Sequence, residues 1–203
     1  MGQPLVNGAG DGSSGLPPLD QIREALRSPY LPSSITALAD AEGYLETIWP
    51  HISSSLDTAG WIGSALYVAD MALDTVERVY EPILTLDDLA DAGLSEGNRS
   101  DLAEMVDVFH YVQPQVLLLL AALAEAFERD EVGGHGKVEP RPTTPRETRH
   151  RAISIPWASP DTPPLPEVVE VLGVDEPPDL YRALASYPKY LETAWQELQH
   201  LAA

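Results

Sequence analysis

Apolar positions recur every three or four residues over most of the chain, the spacing that gathers them on one face of an α-helix. Residues 16–26 open with two prolines and carry Leu19, Ile22 and Leu26 at that spacing, which predicts a short helix. After a turn at Pro29 and Pro32, residues 34–56 are helical, bent or broken near Gly43 and again near Pro50. Tyr44, Leu45, Ile48, Trp49 and Ile52 form their apolar stripe. A long helix is predicted over 61–80, where Ile62, Ala65, Leu66, Ala69, Leu73, Val76 and Tyr80 share a face and Pro82 stops the pattern. A short acidic helix at 86–92 ends at Gly93, and Ser100 caps a helix with Leu102, Met105, Val106 and Phe109 on one side. Pro114 opens VLLLLAALAEAF, apolar nearly all round, as in the middle of a bundle. Alternation of β-branched and polar residues is confined to 151–156, so the expected fold is all-α.

The phrase YLETIW at 44–49 returns as YLETAW at 190–195. At that offset of 146, residues 17–49 and 163–195 align without a gap and agree at 14 of 33 positions. Convergence on a helical pattern would repeat the apolar letters, but has no reason to repeat Glu46 as Glu192 or Thr47 as Thr193. The chain therefore reads as a helical bundle with an internal pseudo-twofold repeat whose second copy is truncated. Its expected parts are a flexible Gly/Ser-rich leader at 1–15, a first helical repeat at 16–129, a Pro-rich basic linker at 130–162 and a partial second repeat at 163–203. Because the second copy is short, its YLETAW stripe needs a partner, either the first copy or a second subunit. The linker holds five of the 12 basic residues and reads either as a strap across an acidic surface or as a guide for an anionic substrate.

Composition narrows the chemistry. A net charge of -20 disfavours nucleic acid and anionic membrane as partners of the whole surface, and with only two Lys beside ten Arg it would suit a salt-rich cytosol. The absence of Cys removes disulfides and thiol nucleophiles. No basic-then-apolar leader opens the chain, and the longest apolar run, 116–124, is nine residues, so a cytoplasmic protein without a membrane span is expected.

Two phrases, YRALASYPKYLETAWQEL at 181–198 and FHYVQPQVLLLLAALAEAF at 109–127, resemble the group I 2-haloacid dehalogenases, the DehI family. The resemblance covers most of 16–127 and 162–203. It implies an all-α fold of two tandem helical units with the active site between them. It also implies hydrolysis of the carbon–halogen bond of short 2-haloalkanoic acids of either hand, by an Asp that activates a water to attack directly. The family pattern puts that Asp immediately before the Tyr of the YRAL phrase, with a Ser ahead of it, and an Asn before the Pro of the FHY phrase. Here those positions hold Leu180, Asp179 and Gln113. The carboxylate thus stands one position early, about 100° around a helix, and Gln113 keeps the amide on a longer stem. The catalytic candidates are Asp179 and Gln113, and the substrate-binding candidates are Ser33, Ser34, Ile35 and Tyr181.

Asp179 also reads as a plain N-cap, and so does its counterpart Ser33. Two helix starts facing each other across a pseudo-dyad would offer N–H groups to a carboxylate. Gln113 also reads as a helix boundary, Trp49 and Trp195 as core, and Tyr181 and Ile35 as core or pocket wall. Glu147 and His150 have metal-compatible spacing without a third ligand, so no metal is expected. GAGDGSSG follows no strand, and no Ser lies in an elbow, so neither a cofactor nor triad hydrolysis is expected. Three readings follow: a haloacid-type hydrolase or diverged relative acting on a small anionic substrate; a non-catalytic module pairing with another chain, a homodimer among the options; and an acidic mimic of nucleic acid.

Overall fold

The structure, a computed structural model, describes residues 18–91, 93–129 and 138–202. The predicted leader lies outside them. Among the described residues the chain is all helix, in the order α1 (Pro18–Ala25), α2 (Ser33–Leu38), α3 (Tyr44–Leu56), α4 (Ala59–Val79), α5 (Leu86–Asp91), α6 (Glu96–Arg129), α7 (Pro145–Ala152), α8 (Leu165–Leu172), α9 (Asp179–Leu184) and α10 (Pro188–Ala202). One isolated bridge, Thr58 to Pro140, is the sole extended pairing among the described residues.

The central member is α6, which packs along α4 and on α9 and whose Met105, Val108, Phe109, Val112, Val116 and Leu119 are buried in a core shared with residues of α1 and α3. It runs straight through Pro114, where the sequence predicted one helix ending and another starting. A proline removes one ladder donor and crowds the turn before it. The carbonyl it orphans is that of exposed His110, which water can satisfy, while Gln115 Nε2 donates to the Tyr111 carbonyl at 2.9 Å and to the Leu26 carbonyl at 3.4 Å. Pro50 likewise lies inside α3 rather than ending it. The carbonyl it orphans is that of exposed Glu46, which water can satisfy. The expected break at Gly43 is present, since Gly43 has φ 71° and separates α2 from α3. As one continuous rod, Glu96–Glu125 is long and apolar enough by length and composition to cross a bilayer, which the nine-residue apolar run did not suggest. Its buried face is the one packed into the bundle.

The shorter helices pair in two groups. α1 packs on α3 and α8 on α10, while α9 lies on both α10 and α6. At the offset of 146, α9 starts and ends where α2 does. Trp49 Nε1 donates to Gln21 Oε1 at 2.8 Å, and Trp195 Nε1 donates to Glu167 Oε1 at 3.1 Å, the same spacing of 28 residues in both. Leu191 and Trp195, 1% and 2% exposed, are covered within the chain, so the YLETAW stripe needs no second subunit.

The segment read as a linker is more than that from residue 138 onward; 130–137 lie outside the described residues. It forms α7, started by a capping box in which the Thr144 side chain accepts from Glu147 N and Glu147 returns a bond to Thr144 N. Nor is it a strap on the surface. Glu147, 1% exposed, accepts from Arg27, Arg141 and Tyr111, and Arg141 also donates to the carbonyls of Ala25 and Leu56 and to Gln115 Oε1. Burial pushes the Glu147 carboxyl up, but these hydrogen bonds and the two guanidinium charges outweigh it and bring the pKa from 4.5 down to about 2. Burial, together with its bond to Glu147, pushes the Tyr111 phenol up to about 12. Arg146 does lie on the acidic surface as expected of a strap, pairing with Asp107 at 2.6 Å.

Candidate functional site

Two of the grooves among the described residues are of similar size. One, of about 680 Å³, lies between α8 and α10 and is walled by four prolines with Glu167, Glu192, Trp195 and three polar residues. The other, of about 670 Å³, lies between the starts of α2 and α9, and it brings together groups able to bind and activate a small molecule. The second is therefore the candidate site.

Helical spacing decides which residues reach this cleft. On the α2 side Ser33, Thr36, Ala37 and Asp40 line it, three or four positions apart. On the α9 side Asp179 and Arg182 do, again three apart. The steps between point elsewhere, which corrects three of the sequence-based candidates. Ile35 is fully buried in the core. Ser34 is exposed away from the lining. Tyr181 turns inward and meets Trp195 edge-on, ring centroids 5.7 Å apart. The same geometry explains why Leu180 packs on the core whereas Asp179, one step earlier, lines the cleft.

Ser33 and Asp179, equivalent positions at the offset of 146, touch: Asp179 Oδ2 accepts from Ser33 N at 2.8 Å. Neither caps its own helix, for the N-cap residues are Pro32 and Pro178 and no side chain caps either end. Instead the Asp179 carboxylate takes up an unpaired N–H at the start of α2. Asp179 is buried, 8% exposed. One carboxylate oxygen is held by this bond, and the other has no hydrogen-bond partner among the described residues.

Gln113 does not line the cleft but stands behind it, donating from Nε2 to the Tyr30 hydroxyl at 3.1 Å. Sequence reasoning missed Tyr30. Burial, with the nearby charge of Asp179, pushes its phenol pKa up, and the Gln113 bond opposes this only in part. Tyr30 therefore keeps its proton, and since its oxygen accepts from Gln113 it has that proton to donate. Its own backbone is pinned by Ser28, whose Oγ donates to Tyr30 O at 2.6 Å and accepts from Tyr30 N at 3.2 Å.

Two more lining residues were missed, Trp157 and Arg182. Trp157 comes from the segment between the two helical groups, and its ring meets Tyr30 at 5.6 Å and Phe109 at 6.4 Å. The Arg182 guanidinium lies over it, 5.6 Å from the ring centroid. Arg182 has no ion pair among the described residues, and its buried Nε has no hydrogen-bond partner there. The helical spacing from Asp179 could have flagged Arg182; nothing local flagged Trp157. The cleft thus offers a buried carboxylate with a free oxygen, a protonated phenol, an unpaired guanidinium and an aromatic wall. Together they can orient a small acid and draw a proton from a water.

The family model described as Halocarboxylic acid dehydrogenase DehI matches residues 29–172. A configuration-inverting 2-haloacid dehalogenase of Alcaligenes xylosoxydans xylosoxydans is 29% identical over 119 residues, 57% of this chain and 38% of that one. Another, of Pseudomonas sp. (strain 113), is 27% identical over 196 residues, 88% of this chain and 60% of that one. Among solved structures, a D-2-haloacid dehalogenase in complex with L-LA superposes with a TM-score of 0.76 at 18% identity, over 89% of this chain and 64% of that one. The chain spans less than two thirds of the length of each of these relatives.

Proposed function

The chain belongs to the DehI family, and from that premise we propose that its cleft hydrolyses a short 2-haloalkanoic acid. The cleft then lies between a first helical repeat, residues 16–129, and a partial second one, residues 163–203, joined by the segment at 130–162. One observation carries the reading: a buried carboxylate, Asp179, is fixed by Ser33 N at 2.8 Å with its second oxygen available to a water.

In this mechanism the substrate carboxylate pairs with Arg182 and accepts from Tyr30. Asp179 takes a proton from a water whose oxygen attacks C2. The new carbon–oxygen bond forms as the carbon–halogen bond breaks, so the halide departs with the bonding pair and a 2-hydroxy acid remains. A single displacement from the far side inverts the carbon, and the relatives are named as configuration-inverting enzymes. Gln113 is a positioning residue that orients the Tyr30 hydroxyl.

Halide release from each enantiomer of 2-chloropropionate tests the reading. Asp179→Asn keeps the size and the Ser33 bond but loses the base, and kcat falls by about 100-fold or more. Equal release by the variant, or none by the parent chain, rejects the assignment. Gln113→Leu leaves the lining intact and lowers turnover less, by roughly ten-fold.

A second reading is favoured by a separate observation. Tyr67, Met71, Leu73, Val76 and Val79 on α4, with Ile83 just after it, are exposed apolar side chains on one stretch. We read this exposed apolar stretch as a self-association surface, independent of the cleft. Light scattering of the parent chain against Val79→Lys tests it: a dimer that becomes monomeric supports the reading, and a parent monomer at high concentration rejects it.

A further inference from the structure

The acidic groups of the cleft bear on what it will accept. Its lining holds three carboxylates, Asp40, Glu176 and Asp179, and one cation, Arg182. Asp179 is buried at the floor beside Ser33 N, whereas Asp40 and Glu176 are exposed. Arg182 has no ion pair of its own among the described residues and keeps a buried Nε–H without a partner. The cleft can therefore receive one negative charge in a matched position and has no second cation for another.

We propose that Asp40 and Glu176 form an acidic rim that makes the site selective for monocarboxylates and excludes substrates bearing a second carboxylate. The inference rests on the hydrolase reading, whose substrate class it narrows. A first carboxylate at Arg182 leaves the rest of a longer substrate directed to the rim. If that rest is uncharged, the two carboxylates stay hydrated and cost it little. If it is anionic, it meets two like charges at a protein surface, where each repulsion is worth roughly a three- to ten-fold loss and is screened by salt. The chain's overall charge of -20 adds a weaker long-range repulsion that acts on every anion and so does not select between them.

Size is separated from charge by comparing 2-chlorosuccinate with its 4-methyl ester, which keeps the length and drops the second charge. The inference expects kcat/KM for the diacid to lie at least about ten-fold below that of the ester at low ionic strength. The gap narrows several-fold in 1 M salt and closes to within about three-fold in Asp40→Asn/Glu176→Gln. Both positions are exposed, so the variant folds as the parent does. Binding of the product-like acids lactate and malate, followed by calorimetry, gives the same ranking without turnover. If the ester and 2-chloropropionate react and the diacid reacts as well as the ester, or the double variant leaves the gap unchanged, the acidic rim is refuted while the hydrolase reading stands. If no compound releases halide and lactate does not bind, both fall.

Discussion

The two walls of the cleft occupy equivalent positions and carry opposite chemistry. At the offset of 146, Tyr30 answers to Glu176, Ser33 to Asp179 and Thr36 to Arg182, and all six line the cleft. Of these six, the three on the α2 side are neutral and the three on the α9 side are charged. The base and the cation of the proposed mechanism therefore both come from the α9 side, and the phenol from the α2 side. A further matched pair tells the same story in the backbone. Just past α1 stands Arg27, φ 53°, and just past α8 stands Gly173, φ 64°, both in the left-handed region that closes a helix. In each, the next residue's N–H returns to the carbonyl five positions back, Ser28 to Arg23 at 3.1 Å and Val174 to Val169 at 3.2 Å. Glycine is the relaxed choice there. Arginine stands in the first group because its side chain reaches Glu147 and the carbonyls of Pro142 and Arg141. Matched geometry with different side chains thus separates what frames the fold from what each group adds to it.

The largest test of that difference removes the Glu147 anchor. Glu147→Gln leaves Arg27 and Arg141 buried against a neutral partner, and loss of one member of a buried ionic set costs about 3–5 kcal/mol. Urea unfolding is expected to show that drop, and a change under 1 kcal/mol would mean that the anchor contributes nothing. The same group governs acid stability. Its pKa is lowered from 4.5 to about 2, so its contribution is complete above 4.5 and disappears as pH falls toward 2. The parent chain should lose about 3 kcal/mol over that window beyond what Glu147→Gln loses. Parallel profiles for the two would remove Glu147 as the cause.

How much of this could be read from the letters follows from which interactions are local. Apolar spacing predicted most helices, and the self-alignment brought Ser33 and Asp179 together before any coordinates. It failed at Pro114, because the carbonyl that the proline orphans belongs to exposed His110 and can be paired by water, which a rule about proline backbones does not register. It failed again at α7, whose composition resembles a linker because its core contacts are made by Arg141, Glu147 and His150 rather than by apolar residues. In the cleft, periodicity names a face only once the helix start is known; a start at Ser33 excludes Ile35, and a start at Asp179 excludes Tyr181. Tyr30 and Trp157 precede or lie outside the helices, so no periodic rule reaches them.

A smaller contrast comes from the matched left-handed positions. Arg27→Gly relaxes the backbone by about 1 kcal/mol yet gives up the bonds to Glu147 and Pro142, for a net loss of roughly 1–2 kcal/mol. Gly173→Ala gains no contact, since nothing lies within 4 Å of the added methyl, and should lose about 1 kcal/mol to the positive φ alone. Stabilisation by Arg27→Gly would mean that the side-chain bonds count for less than the strain.

The finest distinction lies in the two tryptophan bonds. Trp49 donates to a neutral amide oxygen of Gln21 and Trp195 to a carboxylate oxygen of Glu167, at 2.8 and 3.1 Å. A charged acceptor makes a stronger bond, but a solvated carboxylate gives up more hydration to form it, so the two effects nearly cancel at a half-exposed site. Exchanging the acceptors, Gln21→Glu and Glu167→Gln, should therefore shift unfolding free energy by less than about 1 kcal/mol each, in opposite directions. Gln21→Leu and Glu167→Leu, which remove the acceptor and orphan an indole N–H, should each cost about 1–2 kcal/mol. If the leucine variants differ by more than the exchange variants do, the two helical groups are held by unlike forces and the matched bonds are a coincidence of spacing.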